Sequence, residues 1–326
     1  MPRSSSRARA FRLSLPLALT LAASFSAVPA GAPSRALAAA RDPGTLSVYR
    51  SGAWRVWWRA DRAPERWSGA DTSVTGALDW LPLAPGLEWA TLRLACPAPT
   101  WRAKLIVARV DPRKISLSLE TGWTRDKHAA WTIDRAPRDA LLAVNAGQFV
   151  GGMPWGWVAS DGRQLFGAGY GPLASAITID AAGRVRWGHG DSLMTPGGVA
   201  VGFQSYPTLL AGDGAVPPAL RTSGSGVNLT HRDARLALGE TRDGHLLVVL
   251  TRFDAMGEIT GGVPLGPTTP EMAAIMGALG ARDAVMLDGG ISAQLLLRDP
   301  ARKSPHRWPG LRKVPLALIA RPRART

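Results

Sequence analysis

One cysteine, Cys96, stands in a chain of 326 residues, so no intrachain disulfide can form and stability must come from packing. Cys96 itself reads as a small buried hydrophobe. Histidine is also scarce: the five, at 128, 189, 231, 245 and 306, are scattered without ligand spacing, which removes the usual zinc patterns. Beyond residue 28 no apolar run approaches the length of a membrane span. Acids are outnumbered, 24 against 39 Lys and Arg, for a formal net charge of +15. That charge is not spread evenly. Residues 1–38 hold five arginines and no acid, and from Arg298 onward nine Lys or Arg face Asp299 alone, which leaves +2 for residues 39–297. With no recognition helix and no aromatic-basic RNA signature, this distribution argues against a nucleic-acid partner.

The start of the chain is a leader. Arg3, Arg7, Arg9 and Arg12 precede an apolar stretch from Leu13 to Val28 interrupted by Pro16, and Ala30-Gly31-Ala32 and Ala36-Leu37-Ala38 both offer an A-x-A cleavage site. Residues 1–38 therefore read as a secretory signal peptide, and the mature protein is expected to be exported, periplasmic or secreted, with no transmembrane span. A segment rich in Trp, Arg and Gly follows over 39–77, and a single domain over 78–326 fits the remaining length.

Strand signals dominate that domain. Trp54, Val56 and Trp58 alternate as in an edge strand. Hairpins are expected for 104–110 with 115–119 around Asp111-Pro112, for 174–179 with 184–187, and for 236–239 with 245–250 around Arg242-Asp243-Gly244. A closing strand is expected over 314–320. Only two helices are indicated, 133–139, interrupted by Pro137, and 270–279. The fold class is α+β: a mixed, mainly antiparallel sheet built from hairpins with a few flanking helices.

Thr268 to Arg298 is the most informative stretch. Thr268 or Thr269 can cap a helix, Pro270 suits its first turn, Glu271 complements the dipole, and Gly280 ends it. Ala284 to Leu287 then reads as a short buried strand that delivers Asp288-Gly289-Gly290, a carboxylate beside two residues without Cβ.

Four segments line up with it: VNAGQF at 144–149, YPTLLAGDG at 206–214, ARLALG at 234–239 and MLDGGISAQL at 286–295. In this order the chain resembles the phosphodiester glycosidase family, whose marks are an N-G-G-F-F-like turn, a P-x-L segment, an R-T-A-x-G strand and L-D-G-G-G-S. The resemblance covers roughly residues 78–321. Four positions depart from the pattern: Ala146 for a glycine, Gln148 for the first aromatic, Leu236 for Thr or Ser, and Ile291 for the third glycine. The resemblance implies hydrolysis of the bond between a sugar's anomeric carbon and a phosphodiester.

The residue types suit that reaction. Glycoside cleavage passes through an oxocarbenium-like state, and a phosphodiester departs as a stable anion, so a fixed cation matters more than protonation. Arg235 is the candidate for the phosphate, against an ion pair with Asp233 or Glu240. Asp288 is the candidate base or nucleophile; it can also cap the amides of Gly289 and Gly290, and the two roles are compatible. Asn145 is a candidate for sugar hydroxyls or an attacking water, or else a left-handed turn residue. Gly147, Gly289 and Gly290 would let substrate approach the backbone, and Ser292 is either a substrate ligand or a plain hydroxyl. Trp155 and Trp157 either stack on a sugar or fill the core. Pro207 would shape the rim, and His231 is a minor candidate acid. No cofactor is expected; single aspartates make no convincing metal site, which leaves metal dependence, a structural calcium included, open. The partner is a glycosyl-phosphate or polysaccharide. The alternative is a non-catalytic polysaccharide-binding envelope module on the same fold; a wall-tethering role for the C-terminal arginines ranks last.

Overall fold

Leu246 to Leu250 are buried at every position, so the strand Leu246–Phe253 has apolar neighbours on both faces. In this computed structural model, which describes residues 44–97, 100–124, 126–189, 197–224, 226–254 and 265–323, that strand lies inside a nine-stranded antiparallel sheet. The expected leader, 1–38, lies outside the described residues. The sheet runs Thr208–Leu210, Ala281–Leu287, Leu236–Thr241, Leu246–Phe253, Thr100–Val110, Leu87–Pro97, Thr45–Arg50, Ala53–Arg59, with Leu81–Ala84 paired beside Leu87–Pro97. Residues 45–59, within the expected Trp/Arg-rich segment, are thus the outer hairpin of this sheet.

The period of two sorts its side chains into two cores. Ala237, Leu247, Val249 and Met286 face the helix Thr269–Ala278, whereas Leu236, Leu238, Val248, Leu250, Val285 and Leu287 face the other way. There they meet two five-stranded sheets. One is built on Val199–Ser205 and Ser175–Asp180; the other orders His306–Trp308, Leu295–Leu297, Leu142–Asn145, Leu316–Pro322 and Ile115–Thr121. Every strand pairing among the described residues is antiparallel.

The helix begins as its sequence indicates. Thr268 is the N-cap, its hydroxyl accepts from the Glu271 amide at 3.3 Å, and the Glu271 carboxylate accepts from the Thr268 amide at 2.8 Å. Glu271 also takes both ends of the Arg232 guanidinium, at 2.7 and 2.9 Å, in a largely buried bidentate pair. Small residues on the outer side of the helix admit a neighbour: the Trp67 indole fills the space a Cβ at Gly277 would need.

Two expectations are overturned. Asp111-Pro112 does not close a hairpin: Thr100–Val110 pairs with Leu87–Pro97 and Leu246–Phe253, while Ile115–Thr121 pairs with Leu316–Pro322 in another sheet. The turn is real, with the Asp111 carboxylate accepting from Arg113 N at 3.1 Å and Nε at 2.7 Å, but the chain leaves it for a different layer. The helix expected over 133–139 is a single 3-10 turn, Ile133–Arg135, because Pro137 cannot continue it. Among the described residues no helix is long and apolar enough to cross a membrane. Three arginines of the basic C-terminal stretch are tied into the fold. Arg298 donates to Ala140 O, Arg321 to Asp139 and Ser118, and Arg323 to Pro112 O and Ala181 O.

Candidate active site

Ala281–Leu287 ends where Leu287 pairs with Leu236, and by Leu295 the chain has entered the third sheet beside Leu142–Asn145. The crossing between the two sheets is Asp288-Gly289-Gly290 and the 3-10 turn Gly290–Ser292. Both glycines are required there. A Cβ on Gly289 would lie 2.5 Å from Ala234 O, and one on Gly290, whose φ is +56°, would lie 2.7 Å from Asp233 Oδ2. Their open side is therefore filled by the chain at 233–235, not left for substrate, which corrects the role the sequence suggests for them. Gly290→Ala is expected to destabilise by about 1–3 kcal/mol, from the left-handed φ and the clash together. Urea unfolding checks this, and adding Asp233→Ala should recover only the clash component.

All four motif segments meet at this crossing. Asn145 Nδ2 donates to Asp288 O at 2.8 Å and its Oδ1 accepts from Gln294 N at 2.9 Å. Asp288 N donates to Gly147 O at 3.0 Å, and Gly290 N to Ala234 O at 2.7 Å. Met286 is held on both sides, its amide on Pro207 O at 3.0 Å and its carbonyl by the Ser205 hydroxyl. Gln148 Nε2 reaches Tyr206 O at 2.8 Å. Asn145 is 1% exposed, and both ends of its amide are engaged. It clamps the turn instead of facing a sugar, and the left-handed conformation falls on Gly147 (φ +66°), not on Asn145. Pro207 follows a cis bond from Tyr206 and is buried behind the strand end, not on a rim.

Asp288 is half-buried. Burial pushes its carboxyl above the ordinary carboxylate range; the Ser292 hydroxyl bond and the Arg312 charge pull it down, the Asp233 charge pushes it up, and the net direction is upward. Its Oδ2 is shielded from solvent and, among the described residues, has no hydrogen-bond partner. Ser292, itself buried, thus serves the carboxylate. The linkage has a definite sign. A carboxyl whose folded pKa is raised lowers stability as pH climbs from its ordinary value of 3.8 through the folded pKa, and the deficit persists above it. Asp288→Asn should therefore melt no lower than wild type at pH 7–8, with any gap closing as the pH falls toward about 4. Thermal melts across that range decide it; a variant much less stable at pH 7–8 contradicts the sign.

Arg235 Nε donates to Pro267 O at 3.0 Å and Nη2 to His231 O at 2.6 Å. Among the described residues it has no ion-pair partner within 4 Å, and Glu240 pairs instead with Arg282 at 3.1 Å. Burial lowers its pKa, with Asp233 and Glu271 opposing and Arg232 reinforcing the shift. It is thus a half-buried cation fixed by two carbonyls and close to the turn: its Cα lies 3.5 Å from where a Cβ on Gly289 would be. The cation that Asp288 senses, however, is Arg312, and Asp233 is the carboxylate coupled to both Asp288 and Arg235. Neither Arg312 nor Asp233 was singled out from sequence as a site residue. Arg312 lies 4.6 Å from the Phe149 ring centroid, within the first motif. Its loop is fastened by Arg312 N to Ile291 O at 3.1 Å, and by Arg252, which donates to Ala293 O at 2.6 Å and Pro309 O at 3.1 Å.

The two tryptophans separate. Trp155 is half-buried, its ring 5.9 Å from that of Tyr206, and its amide bonds Gln148 O at 2.8 Å. Trp157 is 1% exposed and packs over Gly202 in the interior, so it presents no face to a sugar. His231 is exposed, with Nε2 3.6 Å from Asp233 Oδ2. Among the described residues no three or more His, Cys, Asp or Glu side chains cluster so as to hold a metal ion.

Residues 138–321, more than half of the chain, match the sequence model of the phosphodiester glycosidases. The chain belongs to the phosphodiester glycosidase family. The segments that converge on Asp288 all lie within the matched region of this glycosidase domain. A solved structure similar to it is the catalytic domain of zebrafish N-acetylglucosamine-1-phosphodiester alpha-N-acetylglucosaminidase, at a TM-score of 0.57 and 19% identity, covering 78% of this chain and 87% of that one. At that identity the likeness is one of fold. A hypothetical protein from Synechocystis matches at a TM-score of 0.47 and 18% identity over 86% of this chain and 68% of that one. No curated protein matches the sequence. The chain has a phosphodiester glycosidase-like hydrolase fold, mostly antiparallel sheet with few helices.

Proposed function

We propose that this protein is an exported hydrolase that cleaves the glycosyl bond of a sugar-1-phosphodiester in envelope or extracellular polysaccharide. The observation that carries the reading is the pairing at one crossing of a shielded carboxylate oxygen without a partner among the described residues, Asp288 Oδ2, with Arg312 nearby and the carbonyl-anchored Arg235 just before the adjoining strand. A half-buried cation with no carboxylate in contact among the described residues gains from an anionic ligand.

In this reading Asp288 either takes the proton of a water that attacks the anomeric carbon or attacks that carbon itself. The bond from the anomeric carbon to the phosphate oxygen breaks, its electron pair leaves with the phosphate monoester, and Arg235 and Arg312 offset that charge. Water supplies the new sugar hydroxyl and, in the first route, its proton passes to Asp288. Burial makes the carboxylate a stronger base than an exposed one. Asn145 and Ser292 position Asp288, and Trp155 beside Tyr206 offers a half-exposed aromatic surface for a sugar.

The test is hydrolysis of a nitrophenyl phosphodiester of N-acetylglucosamine. Wild type should turn over, and Arg235→Ala and Arg312→Ala should each lower kcat/KM by about 10²-fold. Ile291, 45% exposed at the turn where the family pattern has glycine, favours the alternative of a non-catalytic glycan-binding module. Polysaccharide binding by wild type with no product by mass spectrometry would select that alternative.

A further inference from the structure

The outer edge of the large sheet holds a second feature that the hydrolytic reading does not use. Between the pairs Leu46–Trp58 and Ser47–Val56 the strand Ala53–Arg59 carries one extra residue, Trp57. Such a bulge re-aims side chains, and here two successive indoles, Trp57 and Trp58, pack toward the helix-side core. The Trp57 ring lies 6.4 Å from that of Trp67, which itself covers Gly277 of the helix Thr269–Ala278. Beside them a cavity of about 340 Å³ is walled by Trp57, Trp67, Pro64, Arg59, Arg62 and Asp71, among others. That volume is within the usual range for small-molecule sites.

We propose that this cavity binds an anionic saccharide, a sugar ring carrying a phosphate or a carboxylate. Its wall supplies both halves of such recognition. The half-buried indoles offer apolar faces for the C–H side of a sugar, and the Trp57 Nε1 is shielded and finds no acceptor among the described residues. Arg59 and Arg62 are exposed, and among the described residues neither has a carboxylate within 4 Å. Asp71, the acid in the wall, is engaged elsewhere: its Oδ1 accepts from Ser73 N at 2.7 Å and caps a short helix. Two guanidinium groups against one carboxylate leave the lining net positive, and an oxyanion would offset that charge.

Calorimetric titration of the full chain tests this without requiring turnover, so it stands or falls separately from the hydrolytic reading. The probes are oligogalacturonate for a carboxylate, a polymer of N-acetylglucosamine 1-phosphate for a phosphodiester, and neutral dextran. The phosphate arm uses the Asp288→Asn background so that the polymer is not consumed. Arg59→Glu with Arg62→Glu should weaken binding of at least one anionic probe by about tenfold or more, while hydrolysis of the small nitrophenyl substrate is unchanged. The stronger arm identifies the anion. Arg138→Glu with Arg163→Glu, the same charge change on exposed residues elsewhere, should leave binding as it was. Equal binding by the Arg59/Arg62 variant and wild type overturns the proposal, as does an equal loss in the control pair or dextran binding as tight as that of the anions.

Discussion

Asp288→Asn is expected to lower the turnover of a nitrophenyl sugar phosphodiester by about 10³-fold, with substrate binding and melting temperature retained. The size follows from what the substitution removes. Asparagine keeps the shape and can still accept from Ser292, but it cannot take a proton from water or form a bond to the anomeric carbon. The clamp built by Asn145, Gly147 and Ala234 acts on the backbone of this turn, so the amide does not disturb it. Because burial holds the wild-type carboxyl above its ordinary range, the acid limb of kcat/KM should lie above that of an exposed aspartate. Steady-state kinetics on both proteins measure this, and a loss smaller than about tenfold would move the chemistry away from Asp288.

Glu271→Ala is expected to have the largest effect on stability, about 3–5 kcal/mol. Glu271 is 3% exposed and does three things: it closes the capping box with Thr268, binds both ends of Arg232, and complements the N-terminus of the helix. Alanine leaves Arg232 buried against Trp101 with a carbonyl, Gly266 O, as its remaining acceptor. Glu271→Gln keeps the cap and loses the charge, so it should cost about half as much. Chemical denaturation distinguishes them; an alanine variant within about 1 kcal/mol of wild type would show that the pair contributes little. The helix start also carries Pro267, which anchors Arg235, so loss of Glu271 should loosen that cation as well.

What could be read ahead of the structure was local. The Thr268 cap, Pro270, Glu271 and the stop at Gly280 lie within thirteen residues, and the helix forms where they place it. The hairpins at 180–183 and 242–244 follow from their turn residues. The edge strand suggested by Trp54, Val56 and Trp58 could be read as well, and Ala53–Arg59 ends the large sheet. The Asp111 turn was misread because turn chemistry fixes a change of direction and not which sheet receives the next strand. Asn145 could be placed near the turn, but its role as a clamp depends on Gln294 and Asp288, about 150 residues away. Arg312 was invisible for the same reason: in sequence it is one of many C-terminal cations, and distant residues such as Ile291, Gln294 and Arg252 bring its segment back to the site. Trp155 and Trp157 look alike in sequence, and the fold buries one and leaves the other at the surface.

The most direct measurement is the fate of the oxygen. Hydrolysis of the sugar phosphodiester in ¹⁸O-labelled water, followed by mass spectrometry of both products, reports which bond breaks. Attack at the anomeric carbon predicts the label in the sugar hydroxyl and none in the phosphate monoester. Label in the phosphate, from cleavage at phosphorus, would contradict the account.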